Sequence, residues 1–137
     1  MVQGEAPQTG VEKVRGLWRS LGATVAATEA GQHDRLMAAV SHLPQLTSNA
    51  LGAVLGRIGV KPEDLGPGGR DMTRLAGSSP EMWADLFEHA PPALSEALEE
   101  LAVILVDLRE KLDSGDSDSL GQLMERTRAW RKGGTWS

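Results

Sequence analysis

The chain has 137 residues, enough for one modest domain, with 19 acidic against 14 basic residues and a formal net charge of −5. That balance argues against a nucleic-acid surface, and the absence of Cys excludes disulfides, thiolate metal sites and a Cys nucleophile. No apolar run approaches the roughly 18–20 residues of a membrane span. The amino-terminal MVQGEAPQTG lacks the apolar centre of a signal peptide, so the cytoplasm is the expected compartment.

Composition favours helix: Leu, Ala, Glu and Arg abound, there is no Tyr, and Phe occurs once. Residues 1–9 are expected to be disordered. Thr9 is placed to cap a first helix from Gly10 to about Leu21, with Val14, Leu17, Trp18 and Leu21 on one face. Gly22 ends it, and Ala23 to Thr28 reads as a short extended segment whose ladder partners the chain does not encode. A long helix is predicted from Gln32 toward Ile58. Leu36, Val40, Leu43, Leu51, Val54 and Ile58 form a stripe on it, widened by Met37, Leu46 and Leu55 until the helix reads as buried. Pro44 interrupts the pattern. An interior Pro deletes a backbone hydrogen bond and costs about 3 kcal/mol, so a kink or a restart is expected there.

Gly59 to Gly69 reads as a linker, followed by a short helix over Arg70–Ala76. Ser79 is placed to cap the next helix with Pro80 in its first position, and Met82, Trp83, Leu86 and Phe87 form its inner face. Pro91 and Pro92 break it. Leu94, Leu98, Leu101, Leu105, Leu108 and Leu112 then alternate steps of four and three, a coiled-coil-like seam. After a polar turn over Asp113–Ser119, Leu120, Leu123, Thr127 and Trp130 continue in similar register, which predicts an antiparallel hairpin. The basic cluster Arg126, Arg128, Arg131 and Lys132 suits the dipole at the end of this last helix.

Three constellations could carry chemistry. Ser41 or His42, then Gln45, then Ser48 or Asn49, share one face of the otherwise apolar helix. A buried polar group left unpaired costs about 1–3 kcal/mol, so the stripe requires either internal partners or a ligand. In GGRDMTR, Asp71 and Arg74 stand three apart. They read either as a surface ion pair or as a carboxylate-binding Arg oriented by an Asp. Trp83 is either a core residue or the wall of a pocket. The remaining motifs carry less. His33 and Asp34 are neighbours on a helix and should diverge, so no dyad is expected from them; the three His follow no metal-ligand spacing; and no GxGxxG or Walker pattern occurs.

In this order, HDRLMAAVSHLPQ, GGRDMTR and SSPEMW make the chain resemble the carboxy-terminal domain of the prephenate and arogenate dehydrogenases, over about residues 29–90. The resemblance implies an all-α helical dimerisation domain, with a long buried helix and an antiparallel helical hairpin, over residues 29–137. Residues 1–28 would then be a short α/β remnant, the last helix and strand of the nucleotide-binding domain. Arg74 would bind a carboxylate of prephenate, with Ser41, His42 and Gln45 lining the substrate pocket. Asp71 would orient Arg74 or join a gating ion-pair network beside Trp83. Gln45 departs from the His of SHLPH versions, a change that bears on prephenate against arogenate preference and on inhibition by tyrosine. The dinucleotide fingerprint and the family's catalytic His are not in this sequence. The expectation is therefore a piece of a longer NAD- or NADP-dependent enzyme, inactive alone, binding no cofactor and forming a homodimer.

Two competing readings remain. LREKLDSGDSDSLGQLMERTR superficially resembles the first helix of all-helical chorismate mutases, with Arg109, Lys111 and Arg126 binding a dicarboxylate. The other is a non-catalytic helical dimerisation or regulatory module.

Overall fold

The computed structural model describes residues 2–3 and 8–136. It is all-α apart from one two-residue ladder. β1 (Val2–Gln3) and β2 (Thr28–Glu29) pair in parallel, Val2 with Thr28 and Gln3 with Glu29. The disorder expected for residues 1–9 is therefore wrong at Val2, Gln3, Gln8 and Thr9, and the chain does encode a ladder partner for the segment ending at Thr28, which was expected to have none; Met1 and residues 4–7 lie outside the described residues. α1 (Gln8–Ser20) begins before Thr9, which sits inside the helix instead of capping it. Its apolar face is open to solvent, with Leu17, Trp18 and Leu21 all more than half exposed.

The expected long helix exists, built around Pro44 in a particular way. α2 (Ala30–Met37) widens into a π-helical turn, Ala38–His42, and continues as α3 (Leu43–Arg57). The widened turn spares the chain the clash between the Pro44 ring and the carbonyl one turn back, without ending the helix. It also shifts the phase of every later side chain by one residue. Ala38, His42, Gln45 and Ser48 become the buried line of this helix. The apolar stripe expected to be buried is instead largely exposed within one chain: Leu36 58%, Val40 60%, Val54 53% and Ile58 68%. His33 lies inside the helix, which begins at Ala30 after Glu29 and so ahead of the predicted Gln32. It does meet Asp34, Nδ1 to Oδ1 at 3.1 Å, where divergence was expected; both side chains are largely exposed, so the pair is worth little.

α3 ends at Gly59, whose φ of +83° suits glycine and lets Val60 N–H reach the Leu55 carbonyl at 3.0 Å. The expected linker is partly helical. A single 3₁₀ turn, Pro62–Asp64, precedes α4 (Pro67–Thr73), and a second, Arg74–Gly77, follows it directly. Both α4 and the second turn pack on α3. α5 (Glu81–Glu88) starts one residue later than expected, with Pro80 as its cap residue. The Ser79 hydroxyl donates to the Glu81 carboxylate and holds its pKa below the ordinary range.

α6 (Pro92–Ser114) and α7 (Ser117–Arg131) are joined by only Gly115 and Asp116, a shorter turn than the sequence suggests. Gly115 takes a φ of +72° and Asp116 N–H returns to the Lys111 carbonyl at 2.9 Å, closing the end of α6. Two compact units result, residues 1–97 and 98–137, so the division falls inside α6. In the second unit the Leu seam is only partly covered: Leu98, Leu101 and Leu108 are half-buried, as are Leu120 and Leu123 on α7, whereas Leu105 is 56% and Leu112 67% exposed, and Trp130 is exposed as well. Among the described residues no helix is long and apolar enough to cross a membrane.

Asp116 caps α7, its Oδ1 accepting from Ser119 N–H at 3.0 Å. Hydrogen bonds from Ser119, its hydroxyl foremost and then its backbone, hold the Asp116 carboxyl below the usual carboxylate range. A depressed folded-state pKa contributes stability above the unfolded value and loses it as pH falls through the folded one. Asp116→Ala is expected to lower the Tm at neutral pH. The gap from the parent should close as pH falls past about 3.9, the ordinary Asp value, and through the depressed one. Melts by circular dichroism across that range check this; a gap that does not change with pH would contradict it.

Candidate functional site

The interior of the first unit is polar. Gln45 and Ser48 are each 3% exposed and His42 8%, whereas Ala38 and Leu94 are the only apolar side chains buried to that degree among the described residues. Gln45 and Ser48 are satisfied by the turn that carries Arg74. Gln45 Nε2 donates to the Leu75 carbonyl at 2.7 Å and to Asn49 Oδ1 at 3.3 Å. Its Oε1 accepts from the Ser78 hydroxyl at 3.3 Å, and Ser48 Oγ accepts from Ala76 N–H at 3.0 Å. Of the two meanings open for the polar stripe, internal pairing is the one realised at Gln45 and Ser48. At His42 it is not: its Nδ1 is buried without a hydrogen-bond partner, and so is Trp83 Nε1.

Arg74 opens the 3₁₀ turn and Asp71 lies on α4. Both are exposed. The ion pair allowed by their spacing is not formed, and among the described residues no salt bridge involves either side chain. The guanidinium thus has no ionic partner among the described residues, and Asp71 does not pair with it. Trp83 is half-buried. Its ring meets His42 edge-on at 6.0 Å and stacks on Phe87 at 5.7 Å.

Two cavities flank this aromatic group. One, of about 480 Å3, is lined by Gln45 and Asn49 on α3, by Ser78, and by Trp83 and Phe87 on α5. The other, of about 420 Å3, brings together His33, His42 and His89 with Asp34, Met37 and Leu86. Sequence spacing did not reveal that the three His share one hollow. Even so, among the described residues no group of His, Asp and Glu is placed to hold a metal ion. Ser41, in the π turn, is half-buried; Arg74 and Asp71 line neither cavity. Ser78 and Phe87 went unpredicted as site residues. Ser78 lies in a loop with no periodicity to mark it, and Phe87 reads as ordinary core.

The cations of the chorismate-mutase-like reading are engaged elsewhere. Lys111 pairs with Asp107, Arg109 lies 4.0 Å from Asp113, and Arg126 sits over the Trp136 ring at 5.7 Å. Gly115 also breaks the helix that reading requires.

A polar interior, exposed apolar faces and an unpaired arginine define an all-α domain of the kind completed by association. The comparisons identify it. The family described as "Prephenate dehydrogenase, dimerization domain" matches residues 29–126, and the chain belongs to that family. It is 31% identical over 120 residues to the cyclohexadienyl dehydrogenase of Zymomonas mobilis, covering 83% of this chain and 41% of that protein. To the prephenate dehydrogenase of Bacillus subtilis it is 25% identical over 131 residues, covering 90% and 34%. The crystal structure of prephenate dehydrogenase from A. aeolicus in complex with hydroxyphenyl propionate and NAD+ superposes with a TM-score of 0.81 at 27% identity, covering 96% of this chain and 47% of that one. The chain thus spans less than half the length of each of these relatives.

Proposed function

We propose that this chain is the substrate-anchoring and dimerising half of a prephenate dehydrogenase, an enzyme of tyrosine biosynthesis. The observation that carries the reading is the unpaired Arg74 guanidinium, held on a turn clamped to a buried polar helix face in a chain of this family. A guanidinium grips a carboxylate through two parallel hydrogen bonds, and prephenate presents two carboxylates. Gln45 and Trp83 line one of the two cavities and His42 the other; in this reading Ser41, next to His42, joins them around the substrate, and Asp71, one helical turn from Arg74, forms a gating pair once ligand is present. Residues 1–28 serve as the last helix and strand of a nucleotide-binding domain. The open apolar face of α1 supports that role.

The dinucleotide falls to the part of the enzyme outside this chain, since these residues contain no strand–GxGxxG–helix turn to cradle a pyrophosphate. When bound there, NAD or NADP takes a hydride from the ring carbon bearing the hydroxyl; carbon dioxide leaves and the ring becomes aromatic. The task of the present residues is to fix the carboxylates so that the ring faces the cofactor. The exposed apolar faces of α3 and α6 support a homodimer. Arogenate carries a ring and a side-chain carboxylate and tyrosine a side-chain one, so both are candidate ligands of the same pocket.

Backbone amide shifts of the isotope-labelled chain titrated with prephenate test this reading. Changes confined to residues 41–45, 71–78 and 83 are expected. An unchanged spectrum would overturn the substrate role and leave a helical module that only assembles. Incubated with prephenate and NAD, the 137-residue chain should produce no NADH absorbance; turnover would contradict the division of labour.

A further inference from the structure

We propose that Gln45 and Ser48 are positioning residues for Arg74, acting through the backbone of its turn and not by touching the ligand. The inference rests on the reading of Arg74 as the carboxylate anchor. Arg74–Gly77 is a four-residue 3₁₀ turn, a conformation with poor internal hydrogen bonds that seldom persists on its own. The Arg74 side chain has no partner that fixes it from its own end. What holds the turn comes from α3. The Gln45 amide donates to the Leu75 carbonyl, the Ala76 N–H donates to the Ser48 hydroxyl, and the Ser78 hydroxyl closes the set on Gln45 Oε1. Leu75, Ala76 and Ser78, all within four residues of Arg74, are thereby tied to one face of one helix.

Gln45 also has little left to offer a ligand. Both amide hydrogens are engaged, one by Leu75 and one by Asn49, and its oxygen already accepts from Ser78. Both clamp residues are almost fully buried, and removing either takes away a hydrogen bond that holds the turn and frees it. A guanidinium on a mobile turn must be ordered by the ligand when it binds, and affinity falls by that ordering cost. The SHLPQ segment thus serves the carboxylate anchor from behind.

The test is calorimetric titration of the chain with prephenate for the parent, Ser48→Ala, Gln45→Leu, Arg74→Lys and Arg74→Ala, and for each clamp variant combined with Arg74→Lys. Each clamp variant alone should bind about three- to tenfold more weakly, the range of coupling expected between neighbouring groups. In the Arg74→Lys background the loss should shrink to about twofold or less, because an ammonium on a flexible stem needs no fixed fork. A merely structural lesion would cost the same factor in both backgrounds, and that result overturns the proposal. So does undiminished affinity in both clamp variants while Arg74→Lys binds weakly, an outcome that leaves the anchor reading standing. Parent affinity in Arg74→Lys and Arg74→Ala alike would instead remove the anchor reading itself, and the proposal with it. If Gln45→Leu does not fold, Ser48→Ala, which deletes one oxygen, carries the test.

Discussion

Arg74→Ala is expected to weaken prephenate binding by at least about thirtyfold, with the helical circular dichroism of the chain unchanged. The size follows from chemistry: hydrogen bonds to charged groups contribute about 1.5–3 kcal/mol each, and a guanidinium–carboxylate fork makes two. The fold should not suffer, because the side chain is exposed and takes part in no salt bridge among the described residues. Arg74→Lys should lie between the two, since it keeps the charge and loses the fork. Calorimetric titration is the check. Equal affinity in parent and Arg74→Ala would remove Arg74 from the substrate site, and with it the observation on which the proposed function stands.

The second large effect is expected at Leu105. This side chain is 56% exposed on α6 in the single chain, amid Val103, Ile104 and Val106, which are exposed as well. Covering one Leu removes it from water for about 1.5–3 kcal/mol, and forcing a carboxylate into the same interface costs several more. Leu105→Asp should therefore raise the dimer dissociation constant by at least about a hundredfold, while the chain keeps its helical signal. Sedimentation velocity over a concentration series reads the change directly. A variant that still sediments with the parent would place the interface on other faces, such as the exposed α3 stripe at Val54 and Ile58.

Much of the fold was legible because helical periodicity is strong here. The elements from Gln32 onward emerge from Leu and Ala spacing, punctuated by Gly59, Pro80, Pro92 and Gly115. Which face turns inward was not legible. Periodicity shows that Leu36, Val40, Val54 and Ile58 share a stripe, but it cannot tell a core within one chain from a contact between chains. The π turn also escaped notice. Pro44 announced a disturbance, yet a one-residue insertion into a helix leaves no signature beyond it, and it is this insertion that settles His42, Gln45 and Ser48 on the buried side.

For the site, residue types were more informative than partners. Arg74 and the Ser41–Gln45 segment stood out by motif. That Gln45 would be engaged by Leu75 and Ser78, some thirty positions away, depends on tertiary contact that spacing does not encode. The Asp71–Arg74 pair shows the opposite limit: ideal helical spacing, yet no ion pair between them, with Asp71 on α4 and Arg74 at the start of the 3₁₀ turn.

The central claim is that a chain with so polar an interior is completed by a second copy of itself. Sedimentation equilibrium of the purified parent chain at micromolar concentration tests it most directly. The account predicts twice the chain mass of 14.6 kDa. A folded species at the single-chain mass, with its apolar stripes in water, would contradict it.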